Sequence, residues 1–481
     1  MKRVSIGVIA ALVLLYPVTA WLMGFAIEKR FEAAIGELHE KAPYLAMTEH
    51  HFQRGWYTSQ DDMTLELPQS VLGAVPGAAA ASPARFLITI HSVFHHGPIC
   101  GWTCLGLARA DSHVAIGGPL QSAVAGLFGS AEPLRIRSRL GFFGGGSAQI
   151  SSPAFEEAAL RDGTHVGWGG LEAAVTYGAG MNSYAAHLAA PRVMYSTQDG
   201  KRFEVTATEF DSSSKRVLRT LYAGDSTFTI GRVALVGAAG AGTVTVDTVR
   251  ALGSSRVDEG FMTVSAKTSI GAITSAPVTL TGAHFDIAFR HLELESLEAL
   301  TSEMQQVNGR VGLAPAARSA ELLSVLKQQG APLLARQPEL AIDRISFANA
   351  KGEAVLKGLV RLAGVTSADF ADGADARVFL AKLDMDLDLT LDDALLQSLP
   401  GGPNSAKQLQ SLADQGLFTH DNGKFHTAIL FRHGQMTFNG KPFQPGIAPP
   451  ASPTPPASPP LPPPASPRVS PPPPPPHASR P

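Results

Sequence analysis

Cysteine is almost missing. Cys100 and Cys104 are the only two in 481 residues, so no framework of disulfides can hold this chain together. Charge is scarce as well: Asp, Glu, Lys and Arg make up 17%, where soluble domains carry roughly a quarter. The formal net charge of -2 offers nucleic acid no general attraction. Catalytic signatures are also lacking. There is no Gly-x-Ser-x-Gly elbow, no His-Glu-x-x-His helix, no Cys-x-x-Cys pair and no Gly-Lys-Ser/Thr phosphate cradle. No catalytic residue, cofactor or nucleic-acid partner is therefore assigned. The sequence reads as a non-enzymatic binding or scaffold protein, with an enzyme built on a dispersed site as the lesser alternative.

Charge is absent altogether from residues 4–25, a run of 22 mostly apolar residues that follows Lys2 and Arg3. As a helix, such a run is long enough for a hydrocarbon core of about 30 Å. The cations before it place the amino terminus in the cytoplasm and the body outside. A cleaved signal peptide is the rival reading, with Val18, Thr19 and Ala20 as the small-residue site. Residues 1–25 are thus expected to be a transmembrane anchor or signal segment, and export follows either way.

Residues 26–43 read as an amphipathic helix, with Ile27, Phe31, Ile35 and Leu38 on one face and Pro43 as its stop. That face is expected to pack on the body, to pair with a second copy as a homodimer, or to lie on lipid. Beyond it, apolar residues alternate: Met63, Leu65 and Leu67; Phe86, Ile88 and Ile90; Leu134, Ile136 and Leu140. Further strands are expected at 193–208, 226–236, 243–249, 340–347, 354–362 and 378–391, and a closing hairpin at 424–431 and 435–438. Helices are expected at 316–337, 392–399 and 405–417.

The class expected is mainly β, a β-rich α+β chain of antiparallel curved sheets in two similar-sized units, 44–280 and 281–444. From 445 to 481 the composition collapses to Pro, Ala and Ser, which lacks the apolar surface to fold and reads as a disordered tail.

Several stretches, in this order, resemble the YdgA-like family of bacterial envelope proteins: the cationic start and apolar helix, FQRGWYTSQ (52–60), HHGP (95–98), LLARQPELAID (333–343), KGEAVLKG (351–358) and MTFNGKPF (436–443). The resemblance implies a single-pass protein of the bacterial inner membrane with a β-rich periplasmic body and self-association. It supplies no activity or catalytic residue.

Two clusters carry candidate chemistry. His91, His95, Cys100 and Cys104 offer imidazole and thiolate to a metal, and alternation sets both histidines on one strand face. The Cys-x3-Cys spacing matches no standard zinc motif, so a loop-closing disulfide between Cys100 and Cys104, free thiols and a metal site all stay open. Asp384, Asp386 and Asp388 alternate with Leu and Met, which reads as the wet side of a half-exposed strand. Gly237, Gly240 and Gly242 read as a strand connection rather than a nucleotide turn. An apolar β groove that handles phospholipid is the alternative to a scaffold with a closed core. A continuous apolar face left unfilled by side chains would decide between them.

Overall fold

The computed structural model describes the chain except residues 1, 42–45, 69–84, 101–103, 119–120, 130–131, 161–162, 239–241, 311–314, 371–375 and 444–481. The proline-rich tail thus lies outside the described residues. Residues 1–442 form one compact unit.

The chain opens with helix α1 (Lys2–Lys41), continuous through Pro17. Strands β1 (Ala46–Arg54), β2 (Thr58–Pro68) and β3 (Arg85–His96) follow, then a small hairpin, β4 (Ile99–Cys100) and β5 (Cys104–Leu105). Next come β6 (Ala108–Gly117), α2 (Gln121–Phe128), β7 (Leu134–Leu140), β8 (Gly146–Ser152), β9 (Phe155–Ala159), β10 (His165–Trp168) and β11 (Leu171–Tyr177). Six long strands form the middle: β12 (Ser183–Ser196), β13 (Arg202–Arg216), β14 (Tyr222–Val236), β15 (Thr243–Asp258), β16 (Phe261–Ser275) and β17 (Val278–Glu293). Helices α3 (Leu294–Gly309) and α4 (Pro315–Ala335) lead to β18 (Glu339–Asn349), β19 (Gly352–Leu362), α5 (Ala376–Lys382) and β20 (Leu383–Asp392). The chain then runs through α6 (Asp393–Ser398), α7 (Gly402–Asp414), β21 (Thr419–Asp421), β22 (Lys424–Arg432), β23 (Gln435–Phe438) and β24 (Lys441–Pro442).

All strands but β4 and β5 join one sheet. Its long strands form an antiparallel meander in which sequence neighbours pair, as strands joined by short turns do. β17 pairs with β16 on one side and β18 on the other. The division expected between 280 and 281 therefore falls inside a strand, and the sheet runs through it.

A line of irregularity crosses the six middle strands. Pairing is interrupted at Pro191, Ala207, Gly231, Thr248, Gly271 and Gly282, which lie opposite one another from strand to strand. Every second strand takes a positive φ there: 52° at Ala207, 56° at Thr248 and 58° at Gly282. The strands between carry proline or glycine. A Cβ on Gly231 would stand 2.9 Å from the Ala207 Cβ, so a left-handed residue in one strand needs a bare backbone in the next. We call this line the crease. Gly231→Val is expected to cost about 1–3 kcal/mol by overpacking, read as a lowered melting temperature.

Several local expectations need correction. The alternation places the first turn at 58–62, but the hairpin turns at Gly55, Trp56 and Tyr57, because residues 59–62 already pair with β1. The strand expected at 193–208 is two, β12 and β13, joined through a turn in which Gly200 takes φ 84°. The segment expected as one strand at 378–391 begins in α5. Helix α3 was not expected. The closing hairpin turns at His433 and Gly434, both with positive φ, as a tight two-residue turn requires.

Candidate functional site

The sheet is amphipathic across its width. One register row runs Ile136, Ile150, Ala173, Leu188, Phe210 and Phe228 over six successive strands. It continues through Ala251, Thr268, Phe285, Ile345, Leu356 and Leu389 over six more. Side chains directly opposite share a face, so this row lies on one side of 12 strands. Parallel rows add Ile287, Ile342 and Leu387, then Val264, Phe289, Leu340, Val360 and Met385.

The opposite face is polar. His187 bonds to Asp211 at 2.8 Å, Lys267 stands opposite Asp286 and Asp286 opposite Arg344. The Asp384, Asp386 and Asp388 series lies on this face. Asp384 pairs with Arg361 at 3.4 Å and Asp388 with His426 at 2.8 Å. Cross-strand ion pairs of this kind keep a sheet face wet.

Helices cover the apolar face only in part. At the amino-terminal side α1 lies on it, and Ile27 is fully buried with Phe94, Leu107, Ala108 and Ala110. At one strand end α3 and α4 bring Leu300 and Leu333 onto Met262 and Leu292. At the carboxy-terminal side Thr427 donates to the Leu417 carbonyl at 2.8 Å, just past α7. Between these covers, Phe285 is 48% and Phe289 45% exposed, with Val264 exposed opposite Phe289 and Phe228 exposed three strands away in the row of Phe285. The longest row crosses 12 strands at about 4.8 Å each, roughly 50 Å of sheet, and its middle is left uncovered, where an ordinary core would close over it.

The dock of α1 explains part of the sequence. Phe31 packs on Phe94 and Phe52, with ring centroids 5.2 and 5.9 Å away. Gly24 lies so near the sheet that a Cβ would stand 2.8 Å from the His96 Cε1. The apolar stripe at Ile27 and Phe31, open by sequence to the body, a second copy or lipid, is thus used on the chain's own sheet. Beneath α1 sit buried polar groups. His96 Nε2 meets Ser59 Oγ at 2.8 Å, and its Nδ1 faces the Ala20 and Trp56 carbonyls at 3.0 and 3.3 Å. His50 pairs with buried Asp61 at 2.9 Å. The Ser59–His96 pair ends on backbone carbonyls rather than a carboxylate, so it forms no proton relay of the Ser-His-Asp kind.

Burial depresses the His96 pKa below the usual imidazole value, because the charged ring would lose its hydration. Above pH ~6.5 the ring is neutral folded and unfolded. Below it the unfolded chain takes up a proton first, so folding stability falls as pH drops through that value. Asp61, raised by burial, has the opposite sign and acts lower, near the carboxylate range. We expect the denaturation midpoint to fall between pH 7.5 and 5.5 in the parent and to change less in His96→Gln.

The remaining candidates are dispersed. His91 pairs with Asp62, and His95 approaches Asp111 at 3.9 Å. Cys100 and Cys104 are joined by a disulfide across the β4–β5 hairpin. Among the described residues no group of three or more His, Cys, Asp or Glu is placed to hold a metal ion. Gly237 donates to the Gly242 carbonyl at 3.2 Å between β14 and β15, with no helix following; Gly240 lies outside the described residues. No described helix is long and apolar enough to cross a membrane; the side chains of 2–14, half of the apolar run, lie outside that description.

Fold and site together define a class: a β-meander protein, polar on one face and apolar on the other, with its leading helix laid on the apolar side. The chain belongs to the bacterial protein family of unknown function DUF945, whose model matches residues 1–446. No curated protein and no solved structure matches it.

Proposed function

We propose that this is a single-pass protein of the bacterial inner membrane, with its body in the periplasm, and that the apolar face of its sheet binds the acyl chains of phospholipid. The observation that carries the reading is the uncovered middle of that face. A closed core would bury Phe285 and Phe289, and here they share an open surface with Phe228 and Val264. Leaving such an area in water is unfavourable at roughly 25 cal/mol per Å², which an acyl chain relieves without directional bonding. The charge-free run at 4–25 and the YdgA-like motifs support the location. The role has no catalytic step, and the opposite, ion-paired face keeps the sheet soluble.

The test is the full-length protein extracted in mild detergent, its lipid measured by mass spectrometry against a control membrane protein. At least one phospholipid per chain is the expected result. Lipid no higher than the control would leave a scaffold as the better reading.

A further inference from the structure

The body meets the membrane with more than its helix. From Val4 to Leu15 the chain has 12 residues, about 18 Å of helix, against a core of about 30 Å. The remaining length must come from the residues after Leu15, and these are already engaged with the body. Tyr16 donates to the Ile99 carbonyl at 3.0 Å and stacks on Tyr57 at 6.1 Å. One and a half turns later Trp21 meets Trp56, also at 6.1 Å. A helix that spans the core while docked in this way brings the β1–β2 turn and the β4–β5 hairpin down to the lipid.

The described residues of both elements suit that position. Trp56 is 62% exposed and Tyr57 49%, although large aromatic side chains are usually shielded. Leu105, on the disulfide-closed hairpin, is 81% exposed. Tyr16 and Tyr57 lie at one level of α1 and Trp21 and Trp56 at the next, five residues or about 7.5 Å further out. Two Tyr and two Trp within that depth match the aromatic belt of a membrane interface. On the helix face turned from the sheet, Leu15, Val18 and Leu22 are exposed; Phe25, one turn on, carries the Arg54 guanidinium 3.6 Å over its ring, and the next cation along the helix is Lys29.

We propose that the β1–β2 turn and the β4–β5 hairpin insert into the interface of the outer leaflet, so that the body stands on the bilayer at a fixed height beside α1. This rests on the anchored reading above, and the experiment separates the two. The full chain is reconstituted into vesicles of phosphatidylethanolamine and phosphatidylglycerol containing lipids brominated near the head group. The chain has four tryptophans, and three variants keep only Trp21, only Trp56 or only Trp168, the others being Phe. The expected result is loss of Trp56 emission as large as that of Trp21, with Trp168 unchanged. Quenching of Trp21 alone would overturn the insertion of the hairpins and leave the anchor standing. Absence of quenching at both Trp21 and Trp56 would overturn both.

Discussion

Replacing Phe285 and Phe289 together by aspartate is expected to strip the protein of co-purifying phospholipid while lowering its stability by only about 1–3 kcal/mol. Both rings are nearly half exposed and stand two rows apart on the apolar face, with the row of Ile287 between them. The folded protein alone therefore loses only the half of each ring that it already covers. A bound acyl chain loses the other half. Each phenylalanine, already about half buried, stands to contribute about 0.7–1.5 kcal/mol of further apolar burial, and a carboxylate set against hydrocarbon adds a desolvation cost of its own. Since 1.4 kcal/mol is a factor of ten in affinity, the double variant should fall by at least about tenfold. Lipid mass spectrometry and thermal denaturation of the same preparation read the two halves of the expectation. Substitution of Lys267 and Asp286, on the opposite face, should leave the lipid content unchanged.

Ile27→Ala is expected to loosen α1 from the sheet. Ile27 is fully buried among Phe94, Leu107, Ala108 and Ala110, and truncation at such a site costs about 2–5 kcal/mol. The neighbours of α1 cannot close the gap, because Gly24 already brings the helix against His96. Hydrogen exchange should show protection lost over residues 16–31 and in the β1–β2 turn, with the long strands beyond the crease unaffected. Uniform loss over the whole sheet would mean that the dock and the meander unfold as one unit.

Much of the meander was legible because its strands alternate. Leu340, Ile342, Leu356, Leu387 and Leu389 announce both the strand and its inner face, and His433-Gly434 announces the last turn. The crease was not legible as such, yet it left a trace. The strands expected at 193–208 and 243–249 stop beside Ala207 and Thr248, and the apolar positions change parity there. In β13, Thr208 and Phe210 belong to the apolar rows, whereas before the crease Phe203 and Val205 are the apolar residues, opposite Leu235 and Val233. Read in one dimension this is broken alternation. In the sheet it is a shared irregularity that only the lateral register reveals. Helix α3 carries a signal of its own, Leu294, Leu297, Leu300, Met304 and Val307 at three- and four-residue spacing, which the expected elements leave out. The boundary near 280 came from a length argument, and a meander can outgrow a single closed core by leaving one face open. The apolar face itself required the pairing, since no single strand shows that twelve of them line up.

The most direct test of the central claim uses two adjacent residues on opposite faces of β17. A photo-crosslinking amino acid is placed at Phe285 in one variant and at Asp286 in another, and each is irradiated in living cells. Adducts of phospholipid mass at position 285 and none at 286 are the expected result; equal labelling at both positions, or none at either, would contradict it.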